Sequence, residues 1–148
     1  MWGLKMIPLY KPSITSAEIE YVNDCLTSGW ISSKGKYVNQ FEKCFSDFLK
    51  IEHSVSVSNG TVALHLALLA LNICTNDEVL VPAFTYIASV NCIKYVGASP
   101  VFIASQSCDC QLDTKDLSAL ITPRTKAIIV PHLYGHIGDM DEIVKICR

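Results

Sequence analysis

Apolar and polar positions run in two rhythms along the 148 residues. Behind Thr15-Ser16-Ala17-Glu18, Ile19, Val22 and Leu26 recur at helical spacing. Thr15 is the N-cap of a capping box, Glu18 reaches back to it, and Gly29 supplies the stop. A linker of Ser, Gly and Lys occupies residues 30–35. The next helix, residues 36–50, gathers Val38, Phe41, Phe45 and Phe48 on one face, with Lys43, Asp47 and Lys50 elsewhere. His53 to Ser58 changes rhythm. Val55-Ser56-Val57-Ser58 alternates as a strand does, breaks at Asn59-Gly60, and gives way to an apolar helix from Thr61 to Ile73. Further strands are expected at Glu78–Val81, closed by Pro82, at Pro100–Ile103 and at Lys126–Pro131. Helices are expected at Ile87–Val96, stopped by Gly97, at Asp139–Cys147, and, capped by Asp113 to Asp116, through Leu120. Ile7-Pro8-Leu9 reads as an entry strand, with Met6 an alternative start.

Two helices followed by β-α-β-α-β-α-β-α is the order of an α/β domain. Short apolar strands alternating with helices imply a mostly parallel sheet covered on both faces, with right-handed crossovers. Half of the residues are hydrophobic and 18% are charged, enough for a buried core and too apolar for disorder. The net charge of −2 contains no basic run, so nothing points to nucleic acid. No apolar stretch reaches membrane-spanning length, and no secretory signal opens the chain. Seven cysteines, an odd number scattered through apolar patterns, fit a reduced cytoplasmic setting. Cys108-Asp109-Cys110 lacks the second pair or His that a metal site needs, and reads as a loop.

The turn from Ser58 to Thr61 carries the chemistry. It places a small residue, a hydroxyl and unpaired backbone N–H groups at a helix N-terminus, where partial positive charge suits a phosphate. The same residues also describe an ordinary capped helix start, since Ser, Asn and Thr are common caps.

An ordered series of stretches resembles one family. It comprises Ile7-Pro8-Leu9-Tyr10-Lys11-Pro12, Ser28-Gly29-Trp30-Ile31, Val38 with Phe41-Glu42, and Val57-Ser58-Asn59-Gly60-Thr61 with Ala63-Leu64-His65-Leu66-Ala67. Val81-Pro82-Ala83-Phe84-Thr85-Tyr86, Tyr95-Val96-Gly97-Ala98, Pro100-Val101-Phe102, Ile121 to Ile128 and His132-Leu133-Tyr134-Gly135 complete it. In this order they are similar to the N-terminal part of the DegT/StrS-type sugar aminotransferases, fold-type-I enzymes that use pyridoxal 5′-phosphate (PLP). The resemblance implies the three-layer α/β/α large domain of that fold, incomplete here. It divides the chain into an N-terminal helix and substrate-side loop (residues 1–35) and the first part of the PLP-binding domain (residues 36–148).

It implies, too, that Gly60 and Thr61 cradle the cofactor phosphate while Ser58 and Asn59 shape the turn. Tyr86 would stack on the pyridine ring, with Thr85 supporting its loop. Trp30, Ile31 and Ser32 would lie near the nucleotide-sugar site, and His132 and Tyr134 sit at a strand's C-terminal end, where α/β ligands gather. Lys34 and Lys36 are candidates for nucleotide phosphates or for a solvated loop, and His65 for a packed helix residue. Two departures stand out. Ala104-Ser105 follows the Pro100–Ile103 strand where the family carries an acidic residue. The Asp that pairs with the pyridinium nitrogen and the Lys that forms the Schiff base lie beyond Arg148, and Lys94 and Lys126 match neither.

The expected activity is amino-group transfer from an amino-acid donor to a keto group of a nucleotide-linked deoxysugar, completed by a homodimer partner or a complementing C-terminal half. A non-catalytic remnant or interaction module is one alternative. A PLP-dependent sugar dehydratase of the same fold is another.

Overall fold

Val79 and Val81 project to one side of a strand and Leu80 to the other, and none is more than 2% exposed. That strand is the centre of the computed structural model, which describes residues 7, 8 and 10–148. The helices are α1 (Ser16–Ser28), α2 (Lys36–Leu49), α3 (Gly60–Ala70), α4 (Ala88–Tyr95) and α5 (Met140–Ile146), and the strands are β1 (Glu78–Pro82), β2 (Ser99–Ile103) and β3 (Thr125–Ile128). The chain forms two compact units, one ending at Ser56 and the other spanning Val57–Arg148. The division expected at residue 35 falls within the first.

In the second unit β1 lies between β2 and β3, parallel to both. Leu80 stands opposite Val101 on one side and Ile128 on the other. Alternation along β1 then separates two cores. Val79 and Val81 pack with Leu68 of α3 and Cys92 and Ile93 of α4. Leu80 packs with Ile103, Leu117 and Ile143 of α5. The unit is therefore helix, sheet, helix in layers, as a parallel sheet requires. Each of the Val, Leu and Ile side chains among these contributes about 1.5–3 kcal/mol on full burial. At the start of β1 the buried Glu78 carboxylate receives the Arg124 guanidinium and the Thr122 hydroxyl, the latter at 2.5 Å.

The expected strand over His53–Ser58 is not formed. The Ser56 N–H donates to Glu42 Oε1 at 2.8 Å rather than to a neighbouring strand, so these residues form no ladder. The sheet has three strands among the described residues, not the four expected. The helix expected to run through Leu120 shortens to a 3₁₀ turn, Leu117–Leu120, because Asp113 Oδ1 accepts the Lys115 N–H and holds the preceding segment in a local turn. β3 ends at Ile128, although the Ile129 N–H still donates to the Leu80 carbonyl at 2.8 Å. Met6, and Leu9 of the expected entry strand, lie outside the described residues; Ile7 and Pro8 form no regular element.

The first unit holds α1 and α2. Glu18 Oε2 accepts the Thr15 N–H at 2.6 Å and closes the capping box, and Gly29 ends α1 at φ 75°. Asp24 on α1 accepts both Lys36 Nζ at 2.6 Å and the Tyr37 hydroxyl at 2.9 Å from the first turn of α2. The apolar stripe of α2 is uncovered, with Phe41, Phe45 and Phe48 all exposed.

Two outcomes follow. Gly97 ends the α4 region at φ +79°, and a Cβ there would stand 2.7 Å from Thr75 Oγ1. Gly97→Ala should lose about 1–2 kcal/mol for the left-handed backbone alone and more for the clash, in denaturant unfolding. Adding Thr75→Ala should return only the clash. The second outcome concerns pH. Lys36 and then Tyr37 hold the Asp24 carboxyl below its ordinary range. Its stabilising contribution is whole above pH ~3.9 and fades as pH falls through the folded pKa. Asp24 raises the Lys36 pKa, so the same pair weakens as pH rises through that higher value. Asp24→Asn should lower the thermal midpoint at neutral pH and by progressively less on acidification.

Candidate functional site

Asn59 is extended and caps α3, its Oδ1 accepting the Val62 N–H at 3.0 Å while its carbonyl accepts the Ala63 N–H at 3.1 Å. Two donors of the first turn are thereby satisfied. Among the described residues no hydrogen bond engages the N–H of Gly60 or Thr61, or the Thr61 hydroxyl. These are the unpaired donors of a helix N-terminus, and the helix dipole adds partial positive charge behind them. Ser58 Oγ accepts from Asn59 Nδ2 at 3.4 Å, so Ser58 braces the cap.

Gly60 is helical, and a Cβ on it would meet nothing within 4 Å. Neither backbone conformation nor packing demands glycine there. What its missing side chain leaves is open space at the start of α3.

That space is part of a hollow of about 620 Å³ bordered by Asn59, Gly60, Thr61, Tyr86 and Ser89. The N-terminal ends of α3 and α4 both reach it. Tyr86 precedes α4 and is 76% exposed, with its carbonyl accepting the Ser89 N–H at 3.0 Å. Thr85 Oγ1 donates to Ser89 Oγ at 3.2 Å, which ties the Tyr86 loop to the first turn of α4. The loop's other end is fixed by the Ala83 N–H donating to the Ile103 carbonyl at 2.9 Å. Free N–H donors, room where a side chain is absent and a phenol ring on the same hollow fit a phosphorylated, flat aromatic cofactor. A smaller hollow of about 190 Å³ lies along β3, lined by Leu80, Leu117 and Ile128 among others, and holds none of the candidate residues.

The remaining candidates stand elsewhere. His132 is exposed, does not border the hollow, and precedes a 3₁₀ turn in which Tyr134 is fully exposed at φ 53°. Trp30, Ile31 and Ser32 belong to the first unit, where Trp30 and Ile31 are exposed and Ser32 Oγ donates to the Lys34 carbonyl at 3.4 Å. Lys36 is engaged by Asp24 rather than free in solvent. His65 packs edge-on against Tyr95 at 5.6 Å, as a helix residue. Sequence reasoning passed over Ser89. Its position four residues after Thr85, at a helix start, was the available signal.

The sequence profile of the DegT/DnrJ/EryC1/StrS aminotransferase family matches residues 12–148. The chain belongs to this family. A GDP-perosamine synthase of Escherichia coli O157:H7 is 54% identical over 145 residues, covering 98% of this chain and 40% of that protein. One from Vibrio cholerae is 49% identical over 142 residues, covering 96% and 39%. Spr1654 of Streptococcus pneumoniae, described as a sugar aminotransferase and solved in its PLP form, matches with a TM-score of 0.88 at 38% identity, covering 95% of this chain and 36% of that one. The chain thus spans about 40% of the length of these curated relatives. PLP is the cofactor of the family. The layered unit is part of a fold-type-I α/β domain, in agreement with the expected fold. No helix among the described residues is long and apolar enough to cross a membrane.

Gly60→Ala should leave stability unchanged, because its Cβ enters open space, yet weaken phosphate binding. Gly60→Asp should abolish it by charge and bulk. Titration with pyridoxine 5′-phosphate, which cannot form imines with surface lysines, checks both.

Proposed function

We propose that this chain is the cofactor-phosphate-binding part of a PLP-dependent sugar aminotransferase. The observation that carries this reading is the grouping of Gly60, Thr61 and Tyr86 around one hollow. In it the N–H groups of Gly60 and Thr61 and the Thr61 hydroxyl hold the phosphate, Ser58 and Asn59 shape the turn, and the Tyr86 ring lies against the face of the cofactor. Thr85, through Ser89, keeps that ring in place. When bound, the cofactor supplies an electron sink and carries the amino group. The amino acceptor is a keto sugar linked to a nucleoside diphosphate. The relatives called GDP-perosamine synthase favour guanosine diphosphate. Trp30, Ile31, Ser32 and His132 are assigned to the sugar-nucleotide side.

No lysine borders the hollow among the described residues, and Lys94 and Lys126 are exposed on α4 and β3. In this reading the Schiff-base lysine comes from a complementing C-terminal portion. The uncovered faces of α1, with Ile19, Val22 and Leu26, and of α2, with Phe41, Phe45 and Phe48, suit that portion or a second copy in a homodimer. The chain is assigned to the cytoplasm, where nucleotide sugars are made.

The purified 148 residues should bind pyridoxine 5′-phosphate more tightly than pyridoxine and form no amino sugar from glutamate and a GDP-linked keto sugar. Equal affinity for the two vitamers removes the phosphate reading. Amine transfer by this chain alone overturns the need for a complementing portion.

A further inference from the structure

The loop that follows β2 carries two thiols at its tip, apart from the hollow. Cys108 and Cys110 are both free and exposed. The base of this loop is pinned. Ser105 pairs with Leu112 as an isolated antiparallel bridge, the Gln106 N–H donates to the Gln111 carbonyl at 2.8 Å, and the Asp113 N–H donates to the Ala104 carbonyl at 2.9 Å. Gln111 and Leu112, at that base, are buried. Gln106 then gathers both cysteines. Its Oε1 accepts the Cys108 thiol at 3.6 Å, and its carbonyl accepts the Cys110 N–H at 3.0 Å. Two residues apart, their Cα atoms could stand at most about 7.2 Å from each other in an extended chain. The turn over residues 107–109 shortens that span toward the range of about 4.4–6.8 Å that a disulfide bridges. The Asp109 carboxylate between them is engaged elsewhere: its Oδ1 accepts the Gln111 N–H at 2.9 Å, and its Oδ2 stands 3.5 Å from His136 Nε2.

We propose that Cys108 and Cys110 form a reversible disulfide by exchange with a small disulfide of the glutathione type. The thiolate of one cysteine attacks a sulfur of the oxidant, which leaves a mixed disulfide and releases one small thiol. The neighbouring thiolate then attacks the protein sulfur of that mixed disulfide, and the second small thiol leaves. The protein gives up two electrons and two protons, and the small disulfide is reduced to two thiols. The second step is intramolecular, so the resolving thiol acts at an effective concentration that no free thiol matches. A bridge across so small a ring is strained and exposed, and such disulfides are the more oxidising, labile kind. The pair therefore stays open in a reducing thiol pool and closes when that pool turns oxidising. Closure is confined to the tip, because the backbone bonds and buried side chains at the base of the loop hold the rest. The other cysteines lack this arrangement. Cys92, the nearest to the pair along the chain, is buried, and the Asp77 carboxylate holds the exposed Cys74 thiol above its ordinary range, away from the reactive thiolate.

The test equilibrates the full, reduced 148-residue chain with mixtures of reduced and oxidised glutathione, quenches with acid, blocks free thiols by alkylation, digests with trypsin and weighs the peptides. The peptide of residues 95–115, between Lys94 and Lys115, contains Cys108 and Cys110 and no other cysteine, so it reports the pair by itself. As the oxidised share of glutathione rises, this peptide should lose two hydrogens, escape alkylation and carry no glutathione. Dithiothreitol should restore both thiols. Cys108→Ser and Cys110→Ser each remove the resolving partner. Either variant should lose the internal disulfide and keep the glutathione adduct that the wild type sheds. Three results overturn the proposal, and the wild-type chain alone can give each of them. In the first, the peptide keeps two free thiols while Cys44 or Cys147, each an exposed single cysteine, takes up glutathione. In the second, glutathione stays on Cys108 or Cys110 with no internal bridge. In the third, the peptide is joined to a different cysteine.

Discussion

A strand buried on both faces has nowhere to expose a polar side chain and no freedom to slip by one residue. β1 is such a strand, and the second unit is arranged by it. Shifting it by one position would exchange Leu80 with Val79 and Val81 between two cores of different shape. Its end at Pro82 therefore lies at a fixed place, and the chain that leaves it is tied to β2 by the Ala83 N–H and the Ile103 carbonyl. Tyr86 and the start of α4 follow within a few residues. α3 covers the same face of the sheet through Leu68, so its first turn comes to border the same hollow as Tyr86. The hollow is a consequence of β1's register, although β1 contributes no side chain to it.

What was legible in the sequence was whatever a local rule decides. The capping box at Thr15, the stops at Gly29 and Gly97, the Asn59 cap and the apolar run of β1 each depend on a few neighbouring residues. The misreadings share another cause. Val55 to Ser58 alternates as a strand does, but a strand also needs a partner, and alternation does not say where the N–H groups go. In this chain one goes to Glu42, fourteen positions away. Lys36 could be read as a phosphate ligand or a solvated loop residue because its partner, Asp24, lies on the preceding helix. The grouping of Gly60, Thr61 and Tyr86 was available only through resemblance, because no spacing rule relates the start of α3 to the loop before α4.

The two units differ in how their apolar residues are used. In the second, alternation on β1 and the inner faces of α3, α4 and α5 bury an aliphatic core that includes Leu80, Ile93, Leu117 and Ile143. In the first, Ser46 is the buried residue of α2, while Phe41, Phe45 and Phe48 face outward. A helix with so exposed an aromatic stripe gains little from burial on its own, and its order leans on polar ties: the Asp24 carboxylate with Lys36 and Tyr37, and the Glu42 carboxylate with Ser56. Exposed ion pairs are worth little individually. Here each carboxylate accepts two donors, which makes its geometry more specific than a single surface pair.

The division of labour at the hollow has a physical logic. A phosphate is the part of such a cofactor that does not react, so contacts to it strengthen ground state and transition state alike. They accelerate nothing by themselves. Their value is to hold the ring at a set distance and tilt, so that groups acting on it meet it in reacting geometry. In the reading proposed above, Gly60 and Thr61 would supply that grip with backbone donors that cannot rotate away, and Tyr86 would limit tilt with a rigid face. An anchor of this kind is only as good as the chain that carries it. A turn free to shift by an ångström would bind the phosphate and still misplace the ring.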